Sequence, residues 1–154
     1  MEEYMAALAQ AFADYRRDLD EFERKRKPTD GLLGFGRSLQ DDPCHERFDG
    51  RLEEAVRGVC ALPPSPGEAA RAARLLLEHN GEGGWPLAAQ WMLRAIERHA
   101  LPLIPYLSAE DAAALLRQYA ARYKPWDRLP AQKQVHKALS ARAKASPENH
   151  KKKP

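Results

Sequence analysis

Side chains that branch at Cβ are scarce in this chain, which has three Val, two Ile and one Thr among its 154 residues. Because pleated surfaces favour such side chains, six of them are far too few to build a sheet. Alanine occurs 26 times, and Leu, Arg, Glu and Lys are also plentiful. These residues lose little side-chain entropy in a helix. The composition therefore predicts an all-α fold.

Long apolar runs and cysteines are also few. No stretch approaches the roughly 18 apolar residues that span a bilayer, so we expect no membrane contact. The N-terminus, MEEYMAALAQ, has acids where a secretion signal needs cations. Cys44 and Cys60 are the only cysteines, which agrees with a reducing compartment. These features predict a cytoplasmic protein, and the Ala- and Arg-rich composition indicates a bacterial source.

Apolar residues at helical spacing predict about six helices in one compact bundle, residues 1–145, followed by a disordered basic tail, residues 146–154. The first predicted helix covers residues 2–27, and its basic end complements the helix dipole. Its apolar side chains recur every three or four residues: Tyr4, Leu8, Phe12, Tyr15, Leu19 and Phe22.

The second predicted helix has Asp42 as its N-cap and Pro43 in its first turn. Gly50 lies inside it and is a potential break. Its predicted core face is formed by Cys44, Phe48, Leu52, Ala55, Val56 and Val59.

Two later helices begin with the S-x-x-E/D pattern of a capping box, at Ser65 and at Ser108. The first of these ends near Asn80-Gly81, and a further helix covers residues 86–99. The apolar segment 100–107 is broken by two prolines, and we expect it to pack on the core. A last helix covers residues 130–145.

A shift of 43 residues superimposes Ser65 on Ser108 and Ile96 on Leu139. This offset is compatible with two helical hairpins in tandem, at the 40–47-residue period of some α-solenoids.

Candidate catalytic and cofactor sites are weak. The glycine-containing segment 30–40 lacks both common phosphate-loop spacings, so we interpret it as a loop that pins apolar side chains on the bundle. In a continuous helix Cys44 and Cys60 are about 24 Å apart, and adjacent Cys44 and His45 point to different sides. We therefore expect no metal ion and no other cofactor. No G-x-S-x-G elbow is present, and we expect no catalytic residues.

Charge is distributed unevenly along the chain. Residues 112–154 hold eleven Lys or Arg and two acids, a net charge of +9, whereas the preceding 111 residues hold fourteen cations and twenty acids, a net charge of −6. On the last helix, Lys133, Lys137 and Lys144 share one face with Ser140. A positive stripe beside an aromatic residue is typical of nucleic-acid contact. The predicted binding residues are Arg122, Lys124, Trp126, Arg128, Lys133, Lys137 and Lys144.

Two readings remain open for this region. In the first, the protein is a non-enzymatic interaction protein whose basic C-terminal helix contacts nucleic acid or a nucleoprotein, with Trp126 packing in its hairpin or stacking on a base. In the alternative, it is an adaptor or inhibitor whose acidic N-terminal region covers a basic surface of a partner, such as a nucleic-acid enzyme. The alternative predicts an exposed apolar patch, for instance on the first helix.

Overall fold

The computed structural model describes residues 1–25, 27–29, 43–78 and 89–145. These residues form six α-helices: α1 (Glu2–Lys25), α2 (Cys44–Ala61), α3 (Pro66–Glu78), α4 (Ala89–Ala100), α5 (Ala109–Arg122) and α6 (Pro130–Lys144). Short 3-10 helices, Leu101–Tyr106 and Pro125–Asp127, precede and follow α5. The described ranges contain no strand, so the predicted all-α bundle is confirmed. No helix within them has both the length and the hydropathy to cross a bilayer.

The apolar face of α1 is buried from Met5 to Phe22 against α2 and α3. Tyr4 is an exception, because it lies on the predicted stripe but remains 36% exposed. Its ring covers Gly58 of α2, where a Cβ atom would approach a ring carbon to 2.2 Å. Apart from Tyr4, the predicted apolar stripe of α1 is therefore buried.

Helix α2 begins one residue later than predicted. Pro43 occupies the N-cap position without a side-chain hydrogen bond, and Cys44 is the first helical residue. Asp42, the predicted cap, lies outside the described residues. The helix is continuous through Gly50, so the potential break there does not occur. All six residues of the predicted core face are buried.

The capping box of α3 is confirmed, and α5 has the predicted Ser108 N-cap. The N–H of Glu68 donates to Ser65 Oγ at 3.3 Å, and the Glu68 carboxylate accepts the N–H of Ser65 at 2.8 Å. The N–H of Asp111 likewise donates to Ser108 Oγ at 3.0 Å. Each cap satisfies backbone donors that the helix itself leaves free.

The apolar connector packs on the core, as predicted, in the form of the Leu101–Tyr106 3-10 helix. Leu103, Ile104 and Leu107 are buried, and the connector contacts α3, α4 and α6. Arg142 Nε of α6 donates to the Leu107 carbonyl and ties the last helix to the connector. Helix α6 packs mainly on α5 and more lightly on α4, so one side of it faces outward.

Several predictions lie outside the described residues: the glycine-containing loop 30–40, the ending at Asn80-Gly81, the start of the fourth helix at residue 86, and the tail 146–154.

Candidate nucleic-acid interface

The connection between α5 and α6, residues 123–129, forms a corner that is fixed at both ends. The N–H of Tyr123 closes the last turn of α5. The N–H of Leu129 donates to Gln132 Oε1 at 2.9 Å and caps the start of α6. Prolines at positions 125 and 130 restrict the backbone further. This connection has seven residues and is therefore longer than the three- to four-residue turn of a DNA-binding helix-turn-helix.

Two of the predicted binding arginines also hold this corner in place. Arg128 Nε donates to the Tyr123 carbonyl across the corner at 3.0 Å. Arg122 Nη1 donates to the Leu77 carbonyl at 2.9 Å and joins α5 to the end of α3. A guanidinium has five N–H donors, so these contacts leave part of each group to act on a ligand.

A buried polar contact lies beneath the corner. The Tyr119 hydroxyl donates to Glu97 Oε1 at 2.7 Å, and both side chains are almost completely buried. Burial, followed by the Glu97 charge, raises the pKa of Tyr119. Burial and the same charge raise the pKa of Tyr123 to about 12, against the opposing effect of Arg122. Both phenols therefore stay neutral at physiological pH and remain hydrogen-bond donors.

The burial of Glu97 was not predicted, although its position in the sequence indicates it. It lies four residues after Leu93 and three before Ala100, on the apolar face of α4. An acid at such a position indicates a buried partner.

Trp126 projects from the corner and is 80% exposed. The interpretation that it packs in the hairpin is therefore wrong. Tyr119 and Tyr123, by contrast, contact each other with ring centroids 4.9 Å apart. Lys124, two residues before the tryptophan, is exposed, and Arg128, two residues after it, is half-buried.

Three lysines of α6 form an exposed row, which we call the lysine stripe: Lys133, Lys137 and Lys144. Val135 and Leu139 are fully buried on the opposite side and hold the helix in this orientation. The stripe extends about 16 Å along the axis, at 1.5 Å per residue. Within the described part of the chain, no carboxylate forms an ion pair with the three ammonium groups.

His136 lies on α6 between the stripe and the buried face and is half-buried. Burial, followed by the charge of Arg128, lowers its pKa. The imidazole is therefore neutral at physiological pH, and the charge of this surface comes from Lys and Arg.

Most cations of α1 and α2, by contrast, are paired with acids. Arg17 Nη1 lies 2.9 Å from Asp14 Oδ1, and Arg51 Nη1 lies 3.4 Å from the other oxygen of the same carboxylate. Arg47 reaches Asp18, and Arg57, Arg71 and Lys25 also have carboxylate partners. The uneven charge of the sequence is thus reflected in the folded protein. On α1 and α2 eleven acids outnumber seven cations, and most of these cations have a carboxylate partner, while the lysine stripe has none among the described residues.

An open cleft of about 390 Å³ is lined by residues of α2, α4 and α6, among them Gln134, which follows Lys133 of the stripe. Arg94 and Arg98 line it together with Asp49. Burial works to raise the pKa of Asp49, but hydrogen bonds from Arg98 and His99 outweigh it and hold the pKa below its usual range. His99 Nε2 is 2.8 Å from Asp49 Oδ1. Sequence reasoning missed these two arginines because their proximity to α6 depends on tertiary packing.

The described side chains include no group of three or more His, Cys, Asp or Glu arranged to hold a metal ion. Cys44 and Cys60 lie near opposite ends of a continuous helix. Cys44 and His45 do not diverge as predicted: both are buried, with Sγ and Nδ1 3.9 Å apart. His45 Nδ1 also lies 2.8 Å from the Tyr15 hydroxyl, which gives the imidazole a structural contact with α1.

No protein-family model matches the chain, and neither a curated protein nor a solved structure matches it significantly.

Proposed function

We propose that this protein binds nucleic acid, alone or within a nucleoprotein, and that it does so without catalysing a reaction. The proposed interface consists of the corner and the lysine stripe. The observation that supports it best is the row of three exposed lysines without a carboxylate partner in the described chain. The exposed indole of Trp126 lies at the N-terminal end of the same helix. Residues 112–145 hold eight Lys or Arg and one acid.

In this proposal, Lys124 and the lysine stripe contact phosphates, while Arg122 and Arg128 chiefly hold the corner and add positive charge. Phosphate contacts release counterions and do not depend on base sequence. If four lysines each neutralise one phosphate, affinity falls about 150-fold for a duplex and about 50-fold for a single strand between about 50 and 200 mM salt. We place the protein in the bacterial cytoplasm, on the basis of its composition alone.

The adaptor reading has less support. Its acidic surface would have to come from α1 and α2, where Asp14, Asp18 and Glu53 already contact arginines of the same chain. The apolar face of α1 is covered as well. Acids still outnumber cations on these two helices, but with the apolar face of α1 buried they offer a basic partner charge contacts, which give specificity and on-rate more than affinity.

The test is fluorescence anisotropy with labelled DNA and RNA at about 50 and 200 mM salt. A triple variant, Lys133→Gln/Lys137→Gln/Lys144→Gln, removes the stripe. A matched triple, Arg24→Gln/Lys25→Gln/Lys27→Gln, removes the same charge from the last turn of α1 and the residues just after it. We expect the first variant to reduce the salt effect to about threefold, since one phosphate contact remains, and the second to bind like the wild type. Equal losses in both variants, or no binding by the wild type at low salt, would refute the proposed interface.

A further inference from the structure

The exposure of Trp126 is the feature that the fold itself does not explain. A tryptophan buries 150–250 Å² when it packs, and most of the described aromatic side chains are buried or half-buried. Trp126 instead leaves 80% of its surface in water. Because its ring contributes so little to the core, a role in folding does not account for it.

The corner presents this ring on a rigid support. Arg128 bridges the corner to the Tyr123 carbonyl, Gln132 caps Leu129, and Pro125 immediately precedes the tryptophan. A backbone that is already ordered reduces the conformational entropy lost when a ligand binds. The exposed indole is therefore carried by a fixed segment of backbone.

The charges around the ring indicate which ligand fits. Lys124 and Arg128 flank Trp126 at two residues on either side, and the lysine stripe begins seven residues further on. An apolar protein partner would leave these cations facing its uncharged surface. A strand with phosphates and unstacked bases would satisfy both the ring and the lysines.

We infer that the interface selects single-stranded nucleic acid over duplex, with one base stacked on Trp126 and the adjoining backbone following the lysine stripe. This inference rests on the proposed function and specifies its ligand. Bases in a duplex are stacked on each other, so a duplex offers the site only its phosphates. Stacking of one base on an aromatic ring strengthens binding about 5- to 150-fold.

The experiment compares a single strand of about 16 nucleotides with a duplex of the same length, both of mixed sequence. Trp126→Ala removes the ring, and Trp126→Phe keeps a smaller one. Leu62→Ala is the matched control, since Leu62 is 79% exposed at the α2–α3 connection. We expect Trp126→Ala to weaken single-strand binding about 5- to 150-fold and to change duplex binding less than about twofold. The affinity of Trp126→Phe for the single strand should lie between those of the wild type and Trp126→Ala. Leu62→Ala should bind like the wild type.

Folding is checked separately by thermal unfolding. Because the ring is exposed, Trp126→Ala should leave the midpoint within about 2 °C of the wild-type value. Trp126→Ala could weaken binding to the single strand and to the duplex equally, or weaken neither, while binding stays salt-sensitive. In that case the single-strand inference is wrong and the proposed function survives. If the wild type binds neither nucleic acid at low salt, both are wrong.

Discussion

Replacing Tyr119 by Phe removes one hydroxyl from the buried contact that supports the corner. The hydroxyl lies 2.7 Å from Glu97 Oε1, and the two side chains are 3% and 1% exposed. Water cannot replace the lost donor at such a site. The lost hydrogen bond has a charged acceptor, and such bonds contribute about 1.5–3 kcal/mol. We therefore expect the free energy of unfolding to fall by about 2 kcal/mol, with a loss of about 4–8 °C in Tm.

The measurement is equilibrium unfolding in urea, followed by circular dichroism. The dependence on urea should keep its slope, because the surface exposed on unfolding does not change. Tyr4→Phe is the control, since Tyr4 is 36% exposed and should change stability by less than about 0.5 kcal/mol. A Tyr119→Phe variant as stable as this control would show that the contact does not stabilise the corner.

Three further predictions concern other parts of the bundle. Gly50→Ala should stabilise the protein by about 0.8–1 kcal/mol, because a Cβ there meets nothing within 4 Å; a loss of stability in urea would contradict this. Ser108→Ala should cost about 1 kcal/mol in the same assay, since it removes the cap of α5, and an unchanged midpoint would show the cap to be dispensable. The pKa of Asp49 is lower in the folded protein than in the unfolded chain, because the hydrogen bonds from Arg98 and His99 outweigh burial. The carboxylate therefore stabilises the fold above about pH 4, and this stabilisation is lost as pH falls through the lowered pKa. Asp49→Asn should therefore make stability less sensitive to acid between about pH 5 and pH 2, and a parallel pH profile would argue against it.

Local chemistry explains which parts of the fold could be predicted from sequence. The caps at Ser65 and Ser108 depend on residues three positions apart, so the pattern alone specifies them. The lysine stripe follows from helical spacing in the same way. Whether the 43-residue offset reflects a true repeat stays a prediction.

Contacts between distant segments explain what the sequence could not show. Tyr4 shares the spacing of the apolar stripe, but where α1 crosses α2 its ring meets Gly58 and stays partly in water. Trp126 lies in a proline-rich connection, where an aromatic residue normally packs inward. The aromatic contact near this connection is made instead by Tyr119 and Tyr123, and Tyr119 bonds Glu97, 22 residues earlier in the chain.

The most direct test of the proposed function is to map which residues contact nucleic acid. Backbone amide chemical shifts of the ¹⁵N-labelled protein would be followed while a single strand of about 16 nucleotides is added at about 50 mM salt. We expect the shifts to change at the corner and along α6, from Lys124 to Lys144, with little change on α1 and α2. Changes concentrated on α1 and α2, or none at saturating nucleic acid, would contradict a binding surface at the C-terminal end.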